Sequence, residues 1–171
     1  TDLVPSPLRG ERPAGTTVSF KPDSSIFESV DFDFKIEAER MRLYAYLTKR
    51  TWFRLVDERD GNEVNYYFEG GIKSFVRHVN REREALNAEP IYVEREIEGN
   101  LIECAIQYND GYNETVFTFA NSINTIDGGS HLTGFRMALT RVLNDYARKN
   151  KILKDNDPNL TGDDVREGLV A

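Results

Sequence analysis

Apolar residues along the chain recur at two spacings, one typical of helices and one typical of strands. Helical spacing, with apolar positions three and four residues apart, marks residues 34–49, the stretch after Gly70-Gly71, and residues 130–150. The pattern predicts three amphipathic helices that each bury one face. Their expected apolar stripes are Ile36, Met41, Tyr44 and Leu47; Ile72, Phe75, Val76 and Val79; and Leu132, Phe135, Leu139, Val142, Leu143 and Tyr146.

Short β-rich runs bounded by turn residues lie between the helical stretches. They predict strands at residues 16–20, 52–57, 64–68, 91–97, 101–108 and 115–120. Residues 59–62 are expected to be a hairpin turn, because Gly61 and Asn62 tolerate positive φ. Short connections at 98–100 and 109–111 predict that the last three strands form an antiparallel meander. The fold class is therefore α+β, with helices packed on one sheet face.

Two turns with polar caps are also expected. Ser24 and Ser25 are placed to cap a short turn near the start of the chain. Near its end, Thr161 is expected to cap a last helix. Asp163 and Asp164 follow in the first turn of that helix, where negative charge meets the positive helix terminus.

The simplest division of the chain falls at Gly70-Gly71. It separates residues 15–70, with a strand, a helix and a hairpin, from residues 71–171, with a helix, a meander and a long helix. Residues 1–14 are rich in proline and predict an irregular lead-in. The irregular start and the apolar last residues lead us to expect a piece of a longer protein.

Composition excludes several classes of protein and site. The chain carries a net charge of −7, which argues against a dedicated nucleic-acid-binding domain but allows a local basic face. No apolar run is long enough for a transmembrane helix, and no signal peptide opens the chain. Cys104 is the single cysteine, which suits a cytoplasmic location, and the two histidines are too far apart for zinc-ligand spacing.

The segment Gly128-Gly129-Ser130-His131 opens the last long helix and allows two interpretations. It is either a glycine turn leading into a serine-capped helix, or a site where free N–H groups at the helix terminus contact an anion. His131 in the first turn favours a structural role, because no nucleophile stands at a triad spacing from it.

Basic residues on the same helix also allow two interpretations. Arg136, Arg141, Arg148 and Lys149 form either a solvated face or a set of phosphate contacts. Carboxylates near residues 57–63 lie in the expected hairpin and are interpreted as solvated. No catalytic residue and no metal ligand is predicted in this chain.

Several stretches, in order along residues 15–171, match one family. They are residues 15–20 (GTTVSF), 57–61 (DERDG), 67–76 (YFEGGIKSFV), 119–131 (FANSINTIDGGSH), 134–136 (GFR), 139–141 (LTR), 144–149 (NDYARK) and 160–169 (LTGDDVREGL). Together they resemble the B subunits of the bacterial type IIA topoisomerases, DNA gyrase and topoisomerase IV. Ser130 stands where that family usually has threonine.

The resemblance implies a fold and a set of site residues. Residues 15–70 would be the C-terminal part of a Bergerat-type (GHKL) ATPase domain. Residues 71–171 would be the N-terminal part of a transducer domain, which resembles the second domain of ribosomal protein S5. In the family, the residue at Thr16 holds adenine through waters and the residue at Val18 lines that pocket, where aminocoumarin inhibitors compete. The arginine matching Arg136 faces the cavity for transported DNA.

The same resemblance implies activity and partners for the parent protein. It would couple ATP hydrolysis, with Mg²⁺, to DNA strand passage and negative supercoiling in the cytoplasm, without a membrane. Its partners would be DNA, the gyrase A subunit in an A2B2 heterotetramer, and a second B subunit joined through the ATPase gate.

The family's other ATP and metal residues lie outside the chain, so we expect this chain alone to be inactive and to bind no cofactor. Two alternatives stay open. The chain could come from topoisomerase IV, or it could be a non-enzymatic module that binds DNA or a protein and has lost the ATP pocket.

Overall fold

The computed structural model describes residues 15–171. These residues fall into two compact units, divided between Asp33 and Phe34. The irregular lead-in predicted for residues 1–14 lies outside the described residues. This boundary differs from the division predicted at Gly70-Gly71. The predicted division concerns the domains that the resemblance implies, and it stays a prediction.

The described part of the first unit, residues 15–33, contains no helix and no strand. The strand predicted at 16–20 is therefore wrong: a β-rich run becomes a strand only where another strand pairs with it. The predicted turn is present, but Asp23 caps it instead of Ser24. The Asp23 carboxylate accepts hydrogen bonds from the amide and hydroxyl of Ser25, at 2.8 and 2.7 Å.

Four helices and seven strands form in the second unit. The helices are α1 (Phe34–Leu47), α2 (Ile72–Asn80), α3 (Ser130–Lys149) and α4 (Gly162–Arg166). The strands are β1 (Phe53–Asp57), β2 (Asn62–Tyr66), β3 (Ile91–Ile97), β4 (Asn100–Tyr108), β5 (Phe119–Ala120), β6 (Ile123–Asn124) and β7 (Leu169–Val170). All four predicted helices are confirmed, as is the β1–β2 hairpin, which pairs Phe53 with Tyr66 and Asp57 with Asn62.

The predicted meander is wrong in its third strand. β3 and β4 pair as an antiparallel hairpin, but the next strand in the sheet is β7, which pairs with Gln107 and Tyr108 at the end of β4. Residues 115–117 lie on the other side of β7. Thr115 donates to the Leu169 carbonyl at 2.8 Å, and Ala171 donates to the Thr115 carbonyl at 3.0 Å. β7, more than fifty residues further along the chain, thus lies between β4 and residues 115–117, which are close to each other in sequence.

The rest of the predicted third strand forms a separate small hairpin. Phe119–Ala120 pairs with Ile123–Asn124 across a two-residue turn. Both turn residues, Asn121 and Ser122, have positive φ, at 48° and 65°. This is the backbone that a tight two-residue hairpin requires.

The core lies between α2 and the sheet. Val76 of α2, Ala105 of β4 and Val170 of β7 form its buried centre, and Ile72, Val79 and Tyr92 pack around it. Leu169 and Val170 are the most buried large residues, at 0% and 1% exposed. The apolar stripe predicted for α2 is therefore confirmed, because it is the face that meets this sheet.

The buried faces of α1 and α3 differ from their predicted stripes. α1 buries Ala38, Ala45 and Tyr46, whereas Ile36 and Tyr44 are exposed. α3 buries Asn144 and Ala147, and leaves Val142 and Tyr146 exposed. Small and amide side chains are buried where a neighbouring segment comes close, and apolar periodicity does not record such positions.

An aromatic stack joins α1 to α2 and to the end of the first hairpin. The Tyr46 ring stacks on Phe68 with centroids 3.7 Å apart and packs against Phe75 at 5.3 Å. Burial raises the pKa of Tyr46 because the phenolate would lose hydration. Phe75 continues the contact to Phe117 at 5.1 Å. The stack makes α1 and the α2 layer parts of one packed unit.

Lys49, just after α1, joins this helix to the β3–β4 hairpin. Its ammonium lies 2.8 Å from Glu94 and 2.9 Å from Glu103, and it donates to Tyr92 at 3.2 Å. These partners raise the pKa of Lys49, and the pKa of Glu94 is lowered by its bonds to Lys49 and Tyr92. Lys73 adds a cation–π contact, 5.3 Å from the Tyr92 ring centre.

Buried amides fix the end of β4. Asn109 donates to Asn80 at 2.8 Å, and Asn80 donates to Gln107 at 3.2 Å. Gln107 donates in turn to the Asn87 carbonyl at 2.9 Å. Because each amide has a partner, these buried polar groups avoid the cost of an unmade hydrogen bond.

Gly168 lies where β7 enters the sheet, and we expect Gly168→Ala to destabilise the fold. Its φ is +69°, and a Cβ there would overlap the Asn109 carbonyl oxygen and lie 2.8 Å from the Gly111 carbonyl oxygen. The expected loss is about 3 kcal/mol, combining backbone strain with a forced shift. Urea denaturation of the chain measures it.

The matched control is Gly61→Ala. Gly61 has a φ of +77°, but a Cβ there would meet nothing within 4 Å. It therefore carries the conformational cost alone, about 1 kcal/mol. Equal losses for the two substitutions would show that the close approach at Gly168 is unimportant.

Candidate functional site

The glycine pair before α3 sets the direction of this helix. Gly129 is the N-cap residue, with φ of 148°, and Gly128 has φ of 76°. A Cβ on Gly128 would lie 2.9 Å from a methyl carbon of Leu132. No side chain caps the helix, and Ser130 is its first residue, so the predicted serine cap is wrong. The positive φ at both positions favours glycine, because side chains of other residues strain this backbone.

His131 contacts a threonine that directly follows the small β5–β6 hairpin. Its Nε2 lies 3.2 Å from the Thr125 hydroxyl, which is itself 2.6 Å from the Thr118 hydroxyl. The Thr125 amide also donates to the Thr118 carbonyl at 2.8 Å. This contact supports the structural interpretation of His131, which ties the start of α3 to the hairpin before it.

Arg136, two turns into α3, makes a two-pronged ion pair with Glu114. Its Nε and Nη2 each donate to one Glu114 oxygen at 2.9 Å. Arg166 of α4 reaches the same carboxylate, with Nε 3.4 Å from Oε2. One carboxylate therefore lies between two guanidinium groups from different helices. The two bonds to Arg136 use the planar fork of N–H groups that matches the two oxygens of a carboxylate.

Sequence reasoning missed Glu114. Its partners lie 22 and 52 residues further along the chain, so no local spacing connects them. The side chain is 22% exposed, against 41% for its partner Arg136. A partly buried carboxylate is stabilised by a cation beside it, and the structure supplies two.

An open groove of about 550 Å³ runs along this part of α3 and meets α4. Its basic lining residues are Arg136, Arg141 and Arg166, and its single acidic one is Asp145. Asn144 fixes the facing segment, because its amide donates to the Leu160 carbonyl at 3.0 Å and accepts from the Leu160 amide at 2.8 Å. The groove therefore has three arginines in its lining, two of them paired with Glu114, and hydrogen bonds join its two sides.

Arg148 matches neither interpretation of the basic residues of α3, a solvated face or a set of phosphate contacts. Its guanidinium donates to the main-chain carbonyls of Lys154 and Asp157, the latter at 2.6 Å, and to the Asn159 side chain at 2.8 Å. It therefore anchors the 151–159 loop to α3. It is neither a freely solvated charge nor available to a phosphate.

Thr16 and Val18 lie in the first unit, in a segment without helix or strand. Both side chains are exposed, and Val18 is 77% exposed. No contact within residues 15–33 tests the roles predicted for them at an ATP pocket. Their function therefore stays a prediction.

Acidic residues of the β1–β2 hairpin pair with arginines. Asp57 accepts from Arg59 at 2.7 Å, and these bonds lower its pKa to about 2. Glu63 is held by both prongs of Arg54, at 2.8 and 2.7 Å. Within residues 15–171, no three histidine, cysteine or acidic side chains are grouped to hold a metal ion. No helix in that range could cross a membrane.

Known sequences identify the family. The DNA gyrase B family model matches residues 71–171. The DNA gyrase B protein of Clostridium acetobutylicum is 54% identical over 159 residues, covering 92% of the chain and 25% of that protein. The DNA gyrase B protein of Halalkalibacterium halodurans is 49% identical with the same coverage. The chain thus spans about a quarter of the length of these relatives.

Solved structures share the fold. The 43K ATPase domain of Thermus thermophilus gyrase B, in complex with an aminocoumarin, matches with a TM-score of 0.81 at 36% identity. The match covers 94% of this chain and 45% of that one. The topoisomerase IV ATP-binding domain of Francisella tularensis matches with a TM-score of 0.67 at 20% identity, covering 86% and 39%.

These matches first define a class: the chain has the α+β fold found in the ATPase domains of bacterial type IIA topoisomerases. Sequence then narrows the class, and the chain belongs to the DNA gyrase B family. The resemblance drawn from residues 15–171 is thereby confirmed.

We expect Arg148→Gln to loosen the 151–159 loop. Lys154 and Asp157 bond to each other across this loop, at 2.7 and 3.0 Å, and Arg148 binds the carbonyls of both. Loss of these charged hydrogen bonds should speed amide exchange at Lys154 and Asp157 about tenfold. Hydrogen exchange measures the change.

Lys149→Gln is the matched control, because Lys149 is an exposed charge at the same helix end. It should leave the exchange rates of the loop unchanged. Equal effects of both substitutions would assign the result to helix charge and not to the anchoring bonds.

Proposed function

We propose that this chain is part of the ATPase and transducer region of a DNA gyrase B protein. In the intact protein it couples ATP binding and hydrolysis to DNA strand passage and negative supercoiling. The observation that carries the proposal is family membership along nearly the whole chain, including both the GTTVSF and DGGSH segments. The parent's partners are DNA, gyrase A subunits in an A2B2 assembly, and a second copy of the parent, all in the cytoplasm.

Two residues of the first unit contribute to the ATP site of the parent. The Thr16 hydroxyl binds adenine through water, and the Val18 side chain covers one edge of the base. Both side chains are exposed in residues 15–33, so they are available to a ligand. Mg²⁺ accompanies ATP, and aminocoumarins compete at the same place, as the inhibitor bound to the Thermus thermophilus domain suggests. The chain alone holds only this edge and is inactive.

Thr16→Val in the intact parent protein should weaken ATP binding. The substitution keeps the shape of the side chain and removes the hydroxyl, so a bound water loses a partner. We expect the dissociation constant of a non-hydrolysable ATP analogue to rise about tenfold, the size of one buried hydrogen bond. Isothermal titration calorimetry measures it.

Thr17→Val is the control for this experiment. Thr17 is the neighbouring residue, is also exposed, and undergoes the same chemical change. The Thr17 variant should bind the analogue with the same dissociation constant as the unsubstituted protein. An unchanged affinity in the Thr16 variant would refute the adenine role.

Arg136 provides positive charge for the transported DNA segment. It lines the α3 groove, and its side chain is more exposed than the side chain of Glu114, which holds it. Arginine binds phosphates with the same two-pronged geometry that it uses for carboxylates. Contacts of this kind are independent of base sequence, as passage of any DNA segment requires.

Arg136→Gln should impair the reconstituted enzyme in both DNA-dependent readouts. Supercoiling should slow several-fold, and the DNA concentration that half-stimulates ATP hydrolysis should rise, because one phosphate contact is lost. Arg95→Gln removes the same charge from an exposed position on β3 and should change neither. Normal supercoiling by the Arg136 variant would contradict the cavity role. Relaxation or decatenation without negative supercoiling would indicate topoisomerase IV.

A further inference from the structure

The Glu114 carboxylate is bound by two arginines of unequal freedom. Arg136 holds it with two bonds at 2.9 Å and has a side chain that is 41% exposed. Arg166 lies 3.4 Å from the same group, and its side chain is 20% exposed. The more strongly bound arginine is thus also the one that solvent, or a ligand from solvent, can reach.

Glu114 itself is held in place. It directly precedes Thr115, whose amide and carbonyl both pair with β7. Arg166 is fixed through α4, whose start is closed by a capping box between Thr161 and Asp164. A second ion pair, 2.7 Å from Asp163, further restrains Arg166. The Arg166 guanidinium thus has two acidic partners, whereas both guanidinium hydrogen bonds of Arg136 go to Glu114, so Arg136 is the group that a competing ligand can release.

A phosphodiester and a carboxylate compete for the same face of a guanidinium, because both present two oxygens to its paired N–H groups. DNA that takes Arg136 must therefore displace Glu114. Glu114 is partly buried, so its carboxylate would lose part of its stabilisation if it were left without a cation. Arg166 removes this cost, since it stays beside Glu114 after Arg136 has left.

We propose that Glu114 and Arg166 form an internal exchange site that sets how readily Arg136 engages a DNA phosphodiester. Glu114 occupies Arg136 when no DNA is in the cavity, and Arg166 neutralises Glu114 when DNA is there. Glu114 and Arg166 are thus positioning residues that act through Arg136. This inference rests on the proposed function, because it requires Arg136 to contact DNA.

The test uses the intact parent protein reconstituted with gyrase A, and linear duplex DNA as the probe. The readout is the DNA concentration that half-stimulates ATP hydrolysis. Glu114→Gln keeps the shape and removes the competing charge, so this concentration should fall about threefold to fivefold, as for a partly exposed ion pair. Glu114→Asp keeps the charge and should show no such fall.

Arg166→Gln provides the opposite change. Glu114 then has Arg136 as its remaining guanidinium partner and holds it more tightly, so the half-stimulating DNA concentration should rise about threefold. Adding Glu114→Gln to Arg166→Gln should reverse this rise. A merely structural role for Arg166 would lower stability without this rescue, so thermal unfolding of each variant is measured in parallel.

Three outcomes decide between the hypotheses. If Arg136→Gln leaves the DNA dependence unchanged, the proposed cavity role fails. If Arg136→Gln acts as expected but Glu114→Gln has no effect or weakens DNA stimulation, the exchange site is overturned and Glu114 merely orients Arg136. The exchange site is supported if Glu114→Gln lowers the half-stimulating DNA concentration and if this effect is absent when Arg136→Gln is also present.

Discussion

The pairing of residues 169–171 between β4 and residues 115–117 is the constraint on which the rest of the second unit depends. β7 is two residues long, yet it completes the sheet and fills the core with Leu169 and Val170. It bonds to β4 on one side and to residues 115–117, which form no strand, on the other. Two hydrogen-bonded neighbours and full burial let so short a strand persist. Gly168 permits its entry by leaving room for two carbonyl oxygens.

The same pairing assembles the basic groove. Glu114 adjoins Thr115 on one side of β7, and Arg166 lies three residues before Leu169 on the chain that enters the sheet. The carboxylate and the second guanidinium are therefore brought together by backbone hydrogen bonds and not by their own attraction. α3 then adds Arg136, and the Asn144–Leu160 bonds hold this helix against the segment that leads into α4. A rigid backbone makes an exchange of side-chain partners possible, because the partner positions stay fixed.

Local pattern was sufficient for some elements and not for others. The four helices and the β1–β2 hairpin follow from periodicity and turn residues close in sequence, and all form. The prediction of a meander was wrong because the short connection at 109–111 carries no information about β7, which begins at residue 169 and pairs with β4. The prediction of a serine cap was wrong because the helix begins one residue earlier than expected. Gly129, with a φ of 148°, is the N-cap residue, and Ser130 is already in the helix. Glu114 gave no signal, since its partners are brought to it by tertiary pairing.

The basic residues of α3 show why charge pattern alone could not define the site. Arg141 and Arg148 share a helix face by spacing, yet Arg148 is occupied by loop carbonyls while Arg141 lines the groove. Arg136 differs from both, because its partner is a carboxylate that a phosphate can replace. Replacement of a loop carbonyl would break the loop, whereas replacement of Glu114 leaves a neutralised pair with Arg166. Whether an arginine is available to a phosphate therefore depends on the free energy that its present hydrogen-bond partner loses when the arginine leaves.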